Sequence, residues 1–443
     1  MISSVFSVII LLLGIYFTFH TGFVQKNIVK SFFSFLPKQS ESKGISPFAA
    51  MCTTLAATLG TGNIVGVAVA ISIGGPGALF WMALSGVFSM ALSYAEGYLG
   101  VKYRIKNNDG TYFGGPFCYI EKGMGTSFIP LSKTYALLCA LSGILGVGTL
   151  VQINSASLAC YDFFEKITDM SVPLPGGNYH ISVVLCSVVI SLLTGLVISG
   201  GIGRIAVFSS YAVPVMSALY ILFIFIVLVR NCSLLPVALG KIIFGSFNPS
   251  SVTGGICGSF LVSFKTGVCK GVFSNEAGLG TASITASASN TNSCSSQGLV
   301  CMFATFFDTV VMCTLTGLAI VVTDSWKIGK NGSSITSYAL CTGTGINENI
   351  ISFVLMVSMV FFSFTSIIGW YCYCESSVRY FFGNAGMFSA IYSILYVFAV
   401  FIGPFADAEK LWSISDVLNA FLSLPNLAAL YFLRKSINPK KRL

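Results

Sequence analysis

Two short polar stretches are the places in this chain where chemistry can happen. The first is Thr58-Leu59-Gly60-Thr61-Gly62-Asn63; the second runs from Lys270 to Thr281 and contains Phe273-Ser274-Asn275-Glu276-Ala277-Gly278-Leu279-Gly280. Each sets hydroxyls, an amide and glycines inside an otherwise apolar segment, and the second adds an acid. Backbone that leaves the helix within a bilayer must find partners in protein or in a water-filled cavity, never in lipid. Two broken helices in corresponding positions of two halves of a chain point to a transporter's binding site. The bland alternative is close helix packing, since Gly62-Asn63-Ile64-Val65-Gly66 is itself a small-residue spacing of that kind. Packing does not require Asn, Ser and Glu within the same half-dozen residues.

The elements that must position these stretches follow from composition. Of 443 residues 55% are hydrophobic and only 9% charged, with a mean hydropathy of +0.84. A soluble domain carries about 25% charge, so this chain is an all-α integral membrane protein whose apolar runs are separated by short polar loops. The net charge of +9 does not indicate nucleic acid, because the basic residues lie between spans and form no stripe. The 14 cysteines fall mostly in apolar runs, where thiols pack as small hydrophobes, and no pair has zinc-site spacing. Enzyme motifs are lacking too: there is no HExxH and no Walker loop. The Gly60–Gly66 run is one residue too long for a dinucleotide fingerprint. A channel could also use broken helices, but inverted halves in a single chain favour alternating access.

Eleven spans are expected. Residues 1–22 hold an N-terminal helix, retained because no basic start or cleavage site accompanies it. The first broken segment, 48–71, ends at Gly74-Gly75-Pro76-Gly77, and further spans cover 78–100, 135–157, 181–199 and 205–229. The second broken segment, 253–290, precedes spans at 298–322, 350–373, 386–403 and 411–433, with a basic tail at 434–443. Beyond the first helix the spans divide into five-helix groups, 48–230 and 253–433, each beginning with a break. An odd number per group inverts one relative to the other. Placing the tail in the cytoplasm and the N-terminus outside gives inner loops and tail 16 Lys and Arg against 6 outside, as the positive-inside rule demands. Intramembrane acids are functional candidates by default. Glu276 is expected to begin the next half-helix and hold the break in shape, pairing with Lys265 or Lys270, with ion coupling as the alternative. Asp308 is expected to pair with another helix or a lysine, and Glu96 to be a boundary acid. His20 and His180 are placed at outer edges, away from any midplane relay.

Thr61-Gly62-Asn63-Ile64-Val65-Gly66-Val67-Ala68, followed by Gly74-Gly75-Pro76-Gly77-Ala78 and Phe80-Trp81-Met82, resembles the first signature of the alanine/glycine:cation symporter family. Phe273 to Gly280 resembles its second. Shorter matches follow in order: Gly114-Gly115-Pro116, Gln152-Ile153-Asn154-Ser155, Gln297-Gly298, Phe307-Asp308-Thr309, Gly369-Trp370 and Pro425-Asn426. The resemblance spans nearly the whole chain; Cys372 and Cys374 depart from it, standing where Ser or Tyr and Gly are expected. It implies sodium- or proton-coupled uptake of alanine or glycine in a bacterial inner membrane, and a leucine-transporter-like fold of two inverted five-helix repeats. The expected partners are a small neutral amino acid, sodium or a proton, and the lipid bilayer. No cofactor other than the coupling ion is expected, and the carrier is expected to act as a monomer.

Such a zwitterion sets the chemistry. N–H groups at a half-helix N-terminus suit its carboxylate, and carbonyls at an opened helix suit its ammonium or a cation. Gly60, Thr61, Gly62 and Asn63 fit the first role, glycine allowing close approach to the backbone. Phe273, Ser274 and Asn275 fit the second. Phe273 and Trp370 are expected as lids or walls, with an interfacial belt position the alternative for Trp370. Gln152 and Asn154 are expected to face the same cavity, or else to bond between helices. The fold resemblance places the helix of Thr365 and Ser366 against the first break. Their hydroxyls, with carbonyls of Ala57, Thr58 and Gly60, make a candidate sodium site; alternatively both hydroxyls bond back to their own helix.

Overall fold

The computed structural model describes residues 2–35, 44–108, 110–174, 177–247, 260–329, 332–383 and 386–438. Lys38, Lys43, Lys330, Lys440, Lys441 and Arg442, which enter the charge count above, lie outside the described residues, as does the start of the second broken segment at 253–259. The apolar runs are helices because only a helix satisfies its own backbone in lipid. In chain order they are α1 (Ile2–His20), α2 (Pro47–Thr58), α3 (Val65–Gly74), α4 (Gly77–Lys102), α5 (Ile129–Leu145) and α6 (Leu150–Phe164). Then come α7 (Ile181–Ile198), α8 (Gly201–Arg230), α9 (Leu235–Phe247), α10 (Phe260–Asn275), α11 (Ala282–Ala288) and α12 (Cys294–Val322). The last are α13 (Gly332–Thr344), α14 (Glu348–Phe382), α15 (Gly386–Ile402) and α16 (Ala408–Phe432). Among the described residues seven helices are long and apolar enough to cross a membrane, or up to nine with each bent pair counted as one span.

Both expected breaks exist. Ser46 starts α2 by accepting the Ala49 N–H at 3.1 Å, with Pro47 in the first turn. The chain then bends by 64° between Pro47–Thr58 and Thr61–Gly74. The second break is narrower and later than the polar stretch suggests. α10 runs on through Asn275, so only Glu276–Gly280 leaves the helix, with Glu276, Gly278 and Gly280 at positive φ. A third interruption, Gly146–Thr149, divides the expected 135–157 span into α5 and α6. There the Thr149 hydroxyl donates to the carbonyls of Gly143 and Ile144. The stretches expected as loops also hold structure, namely α9, α13 and a hairpin of β1 (Ser171–Leu174) with β2 (Gly177–His180). α12 carries a π-helical stretch, Phe306–Cys313, around Asp308, a local widening that recurs at functional sites.

α4 is the central post, packed on α1, α10 and α12. Small residues set these approaches, as lipid supplies no hydrophobic drive between helices. A β-carbon on Gly97 would lie 2.6 Å from the Cys301 sulfur, and one on Gly271 2.3 Å from the Ser85 hydroxyl. α1 belongs to this core. Its Ile10 is 3% exposed and sits against Gly278 in the second break, and its Gly14 meets the Phe88 carbonyl. Ile10 thereby covers irregular backbone that lipid could not solvate. The ring of His20 reaches the Arg434 carbonyl at 2.8 Å. His20 thus sits at the same end of the molecule as Arg434, where the basic tail starts, so an outer His20 and an inner tail do not both hold; α1 packs beside α16.

Gly369 sets how closely α14 approaches α2, since a β-carbon there would fall 2.7 Å from the Ala57 nitrogen. Gly369→Ala should lower stability by about 1–3 kcal/mol through overpacking. The check is thermal unfolding of the detergent-purified protein, where an unchanged midpoint would show that the helices are not held at this distance.

Candidate functional site

The first break is shaped by side chains that take backbone donors. The Gly60 N–H goes to the Asn63 Oδ1 at 3.1 Å and the Thr61 N–H to the Gln152 Oε1 at 3.3 Å. In an unbroken helix these two donors would close bonds to Ala56 and Ala57; those carbonyls are therefore released. The Leu59 carbonyl receives the Ser366 hydroxyl at 3.2 Å. Glycine is required at position 60, because a β-carbon would lie 2.7 Å from the Ser366 oxygen and 2.9 Å from the Gln152 nitrogen. Thr58 and Thr61 contribute buried hydroxyls that have no hydrogen-bond partner.

The second break repeats the device. The three N–H groups that would bond the carbonyls of Phe273, Ser274 and Asn275 are those of Ala277, Gly278 and Leu279. Ala277 donates to the Asn275 Oδ1 at 3.0 Å, Gly278 to the Glu96 Oε1 at 2.9 Å, and Leu279 to the Glu276 carbonyl at 3.1 Å. All three carbonyls of the last α10 turn are thus freed for another partner. The rest of the break is held from outside. The Gly280 N–H also reaches the Glu96 Oε1 (3.1 Å), Tyr135 donates to the Leu279 carbonyl (2.8 Å), and Asn426 donates to the Gly278 carbonyl (2.9 Å).

Asp308 joins the two breaks. Its carboxylate accepts from Asn63 Nδ2 at 2.9 Å, from the Ser274 hydroxyl at 2.9 Å and from the Thr309 hydroxyl at 2.8 Å. Asn275 Nδ2 in turn donates to the Thr309 hydroxyl at 3.1 Å. A β-carbon on Gly62 would be 3.5 Å from the Ser274 Cα, so the two breaks abut directly. Of the two partners expected for Asp308, the structure supplies another helix and no lysine. Thr365 and Ser366 divide. The Ser366 hydroxyl faces the first break, whereas the Thr365 hydroxyl donates back to the carbonyls of Phe361 and Phe362 at 3.0 Å each. Donation leaves the lone pairs of a hydroxyl available to a cation.

Five residues overturn an expectation or decide between its alternatives. Glu276 begins no half-helix and pairs with no lysine. It ends α10 at φ 54°, accepting the Trp370 indole N–H at 2.8 Å and the Thr281 hydroxyl at 3.3 Å. The ammonium of Lys270 instead lies over the rings of Trp412 (4.8 Å) and Phe273 (5.4 Å). Trp370 is fully buried and ties α14 to the second break, so it belongs to no interfacial belt. Phe273 does not share a wall with it. Its ring packs on Trp412 at 5.2 Å and lines a recess of about 160 Å³ with Ser4, Lys265, Lys270 and Asp416. For Asn154 the alternative of bonding between elements holds, as its amide donates to the carbonyls of Gly403 and Ala406. Glu96 is no boundary acid: it is 0% exposed and holds the second break. The signal for Glu96 was available, as an acid within a 26-residue apolar helix. The signal for its partner Asn426 lay only in the Pro425-Asn426 match.

The chain is similar to known proteins over nearly its whole length. The profile of the sodium:alanine symporter family matches residues 1–441. A sodium/alanine symporter of Methanococcus maripaludis is 35% identical over 440 residues, covering 96% of this chain and 91% of its own. A probable sodium/glutamine symporter of Bacillus subtilis is 33% identical, covering 98% of this chain and 86% of its own. An uncharacterized transporter of Haemophilus influenzae is 39% identical over 428 residues, covering 96% and 89%. In fold, the chain is similar to MhsT in complex with L-phenylalanine (TM-score 0.58, 13% identity, 90% of each chain). It is also similar to the nucleobase-cation symporter Mhp1 (TM-score 0.54, 13% identity, 87% of this chain and 77% of that one). These neighbours carry the leucine-transporter-like fold.

Trp370→Phe deletes the indole donor to Glu276 and, at this buried position, part of the ring volume. A buried carboxylate oxygen losing its partner costs about 1–3 kcal/mol or more, so the variant should unfold at lower temperature than wild type. Equal melting midpoints would mean that neither the bond to Glu276 nor the packing of the indole contributes to stability.

Proposed function

The chain belongs to the sodium:alanine symporter family, and we propose that it takes up small neutral amino acids, alanine and glycine, in symport with sodium by alternating access. The observation that carries this reading is the release of carbonyls at both breaks, at Ala56 and Ala57 on one side and at Phe273, Ser274 and Asn275 on the other. The breaks meet across Gly62 and Ser274. Carbonyl oxygens freed inside an apolar protein suit a cation, whether sodium or an ammonium group.

The substrate ammonium goes to the carbonyls of Phe273, Ser274 and Asn275. Its carboxylate goes to the N–H groups of the Gly60–Asn63 turn, where the Gln152 amide must swing away from Thr61 to admit it. Sodium lies between the Ala57 carbonyl and the hydroxyls of Thr58, Thr365 and Ser366. The unpartnered, buried Thr58 hydroxyl supports that placement, and hydroxyl and carbonyl oxygens are the hard ligands an alkali ion needs. Asp308 links the two sites through Asn63 and Ser274, so filling either changes the hydrogen bonds of the other. The repeats are 48–230 and 253–433, inverted relative to each other. The protein works as a monomer in a bacterial inner membrane, with the N-terminus outside and the tail in the cytoplasm.

Proteoliposomes containing the purified protein should accumulate labelled alanine or glycine under an inward sodium gradient. No uptake under either a sodium or a proton gradient would sink the proposal, and uptake that persists with choline in place of sodium would remove sodium as the coupling ion. Asn63→Ala should abolish measurable substrate binding, whereas normal affinity in that variant would place Asn63 outside the site. Ser366→Ala should raise the sodium concentration for half-maximal uptake by roughly tenfold, the loss of one good polar contact. An unchanged sodium requirement would count against Ser366 as a ligand.

A further inference from the structure

Glu96 is bonded in a lopsided way. Its Oε1 accepts three donors: the N–H groups of Gly278 (2.9 Å) and Gly280 (3.1 Å), and the Asn426 side-chain amide (2.8 Å). Its Oε2 is buried and has no partner at all. None of the three ion pairs among the described residues includes it. Asn426 belongs to α16, donates also to the Gly278 carbonyl, and receives the Tyr119 hydroxyl on its own Oδ1. One carboxyl oxygen therefore clasps three separate bodies, namely the post α4, the second break and α16 with the short helix Pro116–Tyr119 behind it.

The consequence is a linkage. A carboxylate buried without a counter-charge is tolerable only while its donors are in place. If the break moves away from α4, as the carrier reading above requires, Glu96 loses up to three donors at once. Asp308 keeps its bond from the adjacent Thr309 in any arrangement, and Glu276 travels with the break and with the nearby Thr281. Glu96 has no such local partner. The cheapest remedy is for the stripped carboxylate to become neutral.

We propose that Glu96 is a proton-binding site, which holds the second break while ionised and takes a proton on its unpartnered Oε2 when the clasp with Gly278, Gly280 and Asn426 opens. The proton comes from the aqueous compartment to which the opening gives access and returns there when the clasp closes, so no other reactant is needed. The titratable groups that face Glu96 are Tyr119 before α5, Tyr135 on α5 and Cys301 on α12. A phenol and a thiol ordinarily ionise well above neutral pH, and no charged group faces Glu96 from α1, α11 or α16 among the described residues. A pH response of the clasp therefore belongs to Glu96. The inference rests on the carrier reading for the motion but not for the bonding.

The test uses the full-length protein and the variant Glu96→Gln, whose amide keeps an acceptor oxygen but binds no proton. In proteoliposomes, the initial rate of sodium-driven alanine uptake should change with internal pH by up to about tenfold per unit in wild type, the limit for one linked proton. The Glu96→Gln rate should be flat. Independently of transport, hydrogen exchange at the Gly278 and Gly280 amides, corrected for its intrinsic pH dependence, should lose protection on acidification in wild type and not in Glu96→Gln. If Glu96→Gln does not fold, Tyr119→Phe removes the donor that steadies Asn426 while sparing the carboxyl. It should move the midpoint of the wild-type pH response to higher pH. The proposal is overturned if wild type and Glu96→Gln share one pH profile, if wild-type protection ignores pH, or if Tyr119→Phe leaves the midpoint in place. Absence of uptake with pH-linked protection would fail the carrier reading and leave the clasp standing.

Discussion

Backbone hydrogen bonding at the two breaks is the constraint from which the rest of the structure follows. An N–H or carbonyl without a partner at membrane depth costs several kcal/mol, so a helix can be opened there only if its donors are received elsewhere. In this protein the receivers are side chains: Asn63 and Gln152 at the first break, Asn275 and Glu96 at the second. Each diversion of an N–H frees a carbonyl one turn earlier. The binding surface is therefore the counterpart of the hydrogen bonds that hold the breaks open.

Around this constraint the helices arrange themselves as supports. α4 carries Glu96 to the second break, α14 brings Ser366 to the first and Trp370 to Glu276, and α12 brings Asp308 to both. Glycines at the contacts set the distances, since a single added carbon at Gly60, Gly271 or Gly369 would strike an atom less than 3 Å away. α1 closes the remaining side by laying Ile10 over Gly278. Three buried acids, Glu96, Glu276 and Asp308, lie close to the breaks, and none of them takes part in an ion pair among the described residues. Such a charge distribution is costly unless cations or protons share it, which is why ion coupling and the shape of the breaks are one problem.

Much of this was legible in the residues. The position of the first break, the presence of the second and the membrane class all follow from polar residues and glycines set in apolar runs. The family signatures extended that reading to the fold. What went astray was the assignment of roles among residues of the same type. Glu276 does anchor the break, through Trp370, but the N–H groups of Gly278 and Gly280 and the Gly278 carbonyl are held by Glu96 and Asn426, both distant in the chain. Residue type alone makes Phe273 and Trp370 walls of one pocket, yet they face different helices. The Gly146–Thr149 interruption is not legible in the chain because the flanking apolar runs are long enough to hide it.

The sequence by itself determined where helices cannot continue, because glycine, hydroxyl and amide residues weaken a helix through local chemistry that any fold would share. It also determined that the acids must be functional or paired, since their cost in lipid is independent of topology. Only the tertiary structure decided which acid meets which N–H. Glu96 and Gly278 are 182 residues apart, and their contact depends on the packing of α4 against α10 and α11, which no local pattern encodes. For the same reason the carbonyls freed at Phe273, Ser274 and Asn275 could be expected from the chain, but the side chains and backbone turn that free them could be identified only in three dimensions.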